Sequence, residues 1–67
     1  MPRPEPVFHG CDCPPGEFVV IMPAELDGVM HEFLGAGPTE ADADFDAERH
    51  ATDCLGWDCA RYPSRPA

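Results

Sequence analysis

Hydrophobic positions gather in three stretches, separated by proline, glycine and acid. The run Phe18-Val19-Val20-Ile21-Met22 is continuous and rich in β-branched residues, which predicts one buried strand ending at Pro23. In the next stretch, Leu26, Val29, Met30, Phe33 and Leu34 recur at helical spacing, so the pattern predicts a helix over 24–34. Pro23 suits the entrance of that helix, Glu25 and Asp27 suit the positive end of its dipole, and Gly35 suits its C′ position. Gly28 costs it about 1 kcal/mol relative to alanine.

The third stretch follows the Gly35-Ala36-Gly37-Pro38 linker. Thr39 with Asp42 three places on approximates a capping box, and Gly56 offers a stop, so a second helix is expected from Glu40 to Leu55. Its expected buried positions are Ala41, Phe45, Ala51 and Leu55, with Trp57 folding back as the C″ contact. Val7-Phe8 reads as a short edge strand, and Pro14-Pro15-Gly16 as a turn. Residues 1–6 read as a flexible lead, 7–60 as a single domain and 61–67 as a flexible tail.

Composition changes this picture at one point. Sixty-seven residues with nine prolines, six glycines, four phenylalanines and many alanines hold little apolar bulk. Ordering each residue costs on the order of 1.5 kcal/mol, so chains this short commonly carry a metal or disulfides. Four cysteines are present. No apolar h-region of a signal peptide is evident at the amino terminus and no run is long enough to span a bilayer, so the expectation is a cytoplasmic protein. In a reducing compartment, paired cysteines point to metal before disulfide. The expected fold class is therefore a small α+β metal-stapled domain, zinc-finger-like, with one or two short strands and two helices.

The expected ligands of a single structural zinc ion are Cys11, Cys13, Cys54 and Cys59, two close pairs from separate segments. His9 and His50 are possible substitutes. His50 precedes Cys54 by one helical turn and would share its face, which makes a Cys3His set feasible. The same four cysteines could hold an iron–sulfur cluster, form two disulfides or stay as buried thiols. A Cys11–Cys13 bond would be strained, so disulfides would link one pair to the other. Four protein ligands close a zinc site and leave no position for a reactive water.

Net charge is −9, with thirteen acids against four arginines and no lysine. That balance disfavours nucleic acid and anionic membranes and favours a basic protein partner. Glu40, Asp42, Asp44, Asp46 and Glu48 form an acidic ladder, either a solvated helix face or a binding face for such a partner. An EF-hand-like frame over Asp42, Asp44, Asp46 and Asp53 lacks the glycine and the terminal glutamate that calcium loops use. His31 reads as a helix-surface or core-edge residue. No phosphate loop or hydrolase elbow occurs, and an enzyme is not expected. The sequence thus points to a non-catalytic, zinc-stabilised acidic interaction module: an inhibitor, adaptor or small assembly subunit. A redox-sensitive zinc switch and a disulfide-stapled secreted miniprotein are the alternatives.

Overall fold

The computed structural model describes residues 5–10 and 17–67. In chain order the elements are β1 (Val7–His9), β2 (Phe18–Leu26), β3 (Val29–Gly37), α1 (Glu40–Leu55), β4 (Ala60–Arg61) and β5 (Arg65–Pro66). The sheet is mixed, in the order β1-β3-β2-β4, with β5 also pairing β2. β1 runs parallel to β3, whereas β2 pairs antiparallel with β3, β4 and β5. Among the described residues a single helix lies across one face.

The helix expected over 24–34 is instead half of a long β-hairpin, and this overturns the two-helix, zinc-finger-like fold class. The decisive residues are Asp27 and Gly28, with φ of 52° and 79°. Positive φ at both central positions makes a two-residue turn whose twist matches that of the flanking strands. Leu26 pairs with Val29 beside it, and the register continues to Phe18 opposite Gly37. The helical spacing misleads because the hairpin is apolar on both faces. Phe33 is 1% exposed beneath the helix, while its neighbour Leu34 lies on the opposite face. Pro23 does not end β2. Its carbonyl accepts from the Tyr62 amide, so its missing donor falls on the β4–β5 side, where pairing is interrupted.

The core is a layer of small contacts: Val20, Met22, Ala24 and Phe33 of the sheet against Ala43, Ala47 and Ala51 of α1, with Cys59. Gly35 and Gly37 set the helix–sheet distance. A Cβ on Gly35 would come within 2.6 Å of the Ala47 Cβ and closer still to backbone atoms of Ala43 and Ala47. One on Gly37 would come within 2.6 Å of the Asp42 Cβ. At that separation only alanine fits on the buried helix face. Ala41 and Phe45, expected inside, accordingly point outward, with Phe45 68% exposed.

The boundaries of α1 follow the sequence. Thr39 Oγ1 accepts from the Asp42 amide at 3.2 Å and donates to the Asp42 carboxylate at 2.9 Å. The Gly56 amide donates to Thr52 O at 2.8 Å, with Gly56 at φ 80°. Trp57 is not folded back as a hydrophobic cap; it is 78% exposed. The last residues, read from sequence as a tail, close the sheet edge. Tyr62 donates to Pro23 O, Ala67 donates to Val19 O, and Arg65 pairs with Glu32 at 2.5 Å.

Among the described residues no group of three or more histidine, cysteine or acidic side chains is arranged to hold a metal ion. Nor is any helix among them long and apolar enough to cross a membrane. The described residues thus form a five-stranded sheet with one helix, their core carried by helix–sheet packing.

Candidate functional site

Two clefts flank α1. The first, of about 280 Å³, is lined by His9 and Gly10 at the end of β1, Phe33 of β3, and His50, Asp53 and Cys54 of α1. β1 places His9 beside Phe33 by register, and the two rings stack with centroids 4.3 Å apart. His9 Nε2 lies 2.9 Å from His31 Nδ1, so one ring donates and the other accepts. His9 Nδ1 faces the Cys54 sulfur at 4.0 Å. Burial, and secondarily the charge of His31, holds the His9 pKa below 6.5 and keeps it neutral near pH 7. His50 donates from Nδ1 to Leu34 O at 2.8 Å, and its Nε2 lies 3.6 Å from an Asp46 oxygen.

The residues expected as metal ligands therefore separate. Cys54 and His50 share the cleft with His9, as their spacing on one helix face suggested. Cys59 does not line it: it is 8% exposed, part of the core, with its sulfur directed to Gly56 O at 3.5 Å. Cys11 and Cys13 lie outside the described residues; in sequence they follow directly from Gly10 on the cleft wall. Among the described residues Cys54 and Cys59 are free thiols, with no disulfide between them. Cys54 stands in the last turn of α1, where the carbonyl end of the dipole favours a nearby cation. That last turn carries no basic side chain.

The second cleft, about 170 Å³ and mainly apolar, lies on the outer side of α1 between Phe45, Glu48, Arg49, Thr52 and Trp57. Arg61 of β4 braces three of these lining residues, Glu48, Thr52 and Trp57. Its guanidinium donates to Glu48 at 2.9 Å, to Thr52 Oγ1 at 2.6 Å and to Gly56 O at 3.4 Å, and lies 4.9 Å from the centre of the Trp57 ring. Arg61 is only 19% exposed at its side chain, so this contact holds the tryptophan with partial exclusion of water.

The acidic ladder does not form one free surface. Asp46 accepts from the Ala36 amide at 3.0 Å and faces Arg49 and His50. Asp44 accepts from Ser64, and Glu48 from Arg61. Glu40 is exposed, and Asp42, also exposed, closes the helix cap. The signal missed in the sequence is the spacing of Phe45, Arg49 and Thr52 with Trp57, which gives the exposed helix face an aromatic groove.

Compared with protein-family models, curated proteins and solved structures, the chain matches none.

Proposed function

We propose that this protein is a non-catalytic interaction module that docks a cationic protein segment on the outer face of α1. The carrying observation is that Phe45 and Trp57, 68% and 78% exposed, line one apolar cleft on a helix edged with carboxylates. Exposed aromatics in a cleft are the usual anchors of protein interfaces, and charged rims govern partner choice and association rate. A net charge of −9 selects a basic segment carrying an apolar anchor. The test is titration of Trp57 fluorescence with a peptide of alternating lysine and leucine, and with its glutamate–leucine counterpart. The lysine peptide should give a saturable change, weakened by salt and by about tenfold in Phe45→Ala. Equal response to both peptides, or indifference to Phe45→Ala, contradicts the reading.

A second site is favoured by the His9–Cys54 juxtaposition: one zinc ion in the first cleft. Cys54, His50 and His9 are the ligand candidates among the described residues, joined by Cys11 and Cys13 on the strength of their position after Gly10. A metal on His9 Nδ1 requires the proton on Nε2, where His31 accepts it, and His50 is fixed likewise by Leu34 O. This replaces Cys59 in the ligand set expected from sequence. Native mass spectrometry with and without chelator tests it. Zinc should be retained by Cys59→Ser and lost from Cys54→Ser; a mass without zinc in the untreated protein, or retention by both variants, contradicts it.

A further inference from the structure

The helix covers one face of the sheet, and among the described residues no element covers the other. Register places Phe8, Val19, Ile21, Pro23, Met30, Leu34 and Ala36 on that face. Its charged groups are Glu25, Glu32 and Arg65, of which the last two pair with each other at 2.5 Å. We propose that this face is the contact between two copies of the chain, packed sheet to sheet about a two-fold axis. The inference is independent of the docking cleft, which lies on the opposite side of the molecule.

Two observations select a second copy. The first is charge. A chain of net charge −9 repels its own kind almost everywhere, and α1 presents Glu40, Asp42, Glu48 and Asp53 to solvent. On the open sheet face the acids are few and one is already neutralised, so copies approach there at the lowest electrostatic cost. The second is area. The nine-residue strands β2 and β3 extend about 30 Å, and with the short β1, β4 and β5 at a spacing of about 4.8 Å they give a footprint of roughly 400 Å². Two such faces together come to about 800 Å², the size of a weak, reversible interface. Aligned sheets pack about 10 Å apart with interdigitating side chains, and aliphatic residues such as Ile21, Leu34 and Val19 suit that spacing. Packing of this kind leaves both α1 helices outward, so the dimer would carry two docking clefts facing away from each other.

Sedimentation velocity on the full chain across about 1–200 µM tests the proposal. The expected result is a concentration-dependent shift from the 7.3 kDa chain mass to twice that value. Ile21→Glu, at the centre of the face, should abolish the shift while Phe45→Ala on the helix side leaves it intact. Should Ile21→Glu fail to fold by circular dichroism, Phe8→Glu is the alternative, because Phe8 is 57% exposed on the edge strand and its change spares the core. A wild-type chain that stays monomeric throughout, or a dimer that survives in a folded face variant, overturns the proposal.

Discussion

Gly35→Ala is the sharpest perturbation of this fold. Its added methyl would sit 2.6 Å from the Ala47 Cβ and nearer still to the Ala43 carbonyl and the Ala47 amide nitrogen. Carbon–carbon contact is optimal at about 3.5–4.0 Å, so the helix must lift by roughly 1 Å to admit it. Two of the three clashing atoms are backbone, and no rotamer change relieves them. Overpacking of this sort costs about 1–3 kcal/mol, and loosening the whole alanine stripe at Ala43, Ala47 and Ala51 puts this case at the upper end. Alanine returns about 0.5 kcal/mol by restricting the unfolded chain, for a net loss of about 2–2.5 kcal/mol. For a domain of this size that lowers the melting temperature by roughly 10–20 °C. Thermal and urea unfolding followed by circular dichroism measure it. A melting temperature within about 3 °C of wild type would refute the close helix–sheet packing from which the core is argued.

Gly28→Ala meets no atom within 4 Å, so its cost of about 1–2 kcal/mol comes from backbone conformation alone, read in the same unfolding assay. Arg61→Ala should free the Trp57 ring and lose about 1–2 kcal/mol through its bonds to Glu48 and Thr52, seen as a red shift and lower anisotropy of tryptophan emission. In the folded, metal-free chain a thiol reagent should label exposed Cys54 rapidly and buried Cys59 only on unfolding, which timed mass spectrometry of digests resolves. Because the folded pKa of His9 lies below 6.5, its contribution is complete above 6.5 and is lost as pH falls through the window beneath it. Urea midpoints measured between pH 7.5 and 5.5 should therefore fall less in His9→Asn than in wild type.

Local signals with a single meaning were legible. Thr39, Asp42 and Gly56 fix the ends of α1 through specific backbone bonds, and the β-branched run from Phe18 marks β2. The hairpin was hidden because both sheet faces are apolar, which erases alternation and leaves Leu26, Val29, Met30, Phe33 and Leu34 in an accidental helical register. Asp27-Gly28 was the local evidence against that helix, since this pair supplies the two positive φ angles of a tight hairpin. For the buried side of α1, apolar size misleads: Gly35 and Gly37 admit only Ala43, Ala47 and Ala51, and exclude Phe45. In the first cleft, His50 and Cys54 were readable from their spacing, whereas the His9–His31 pairing depends on the parallel register of β1 with β3, which no local pattern encodes.

The central claim is that the outer face of α1 is the docking surface. Amide chemical shifts of the isotopically labelled chain, recorded while the lysine–leucine peptide is added, test it most directly. The account predicts saturable shifts concentrated at Phe45, Glu48, Arg49, Thr52 and Trp57, with the strands unaffected. Shifts confined to the sheet face around Ile21 and Leu34, or none at all, would contradict it.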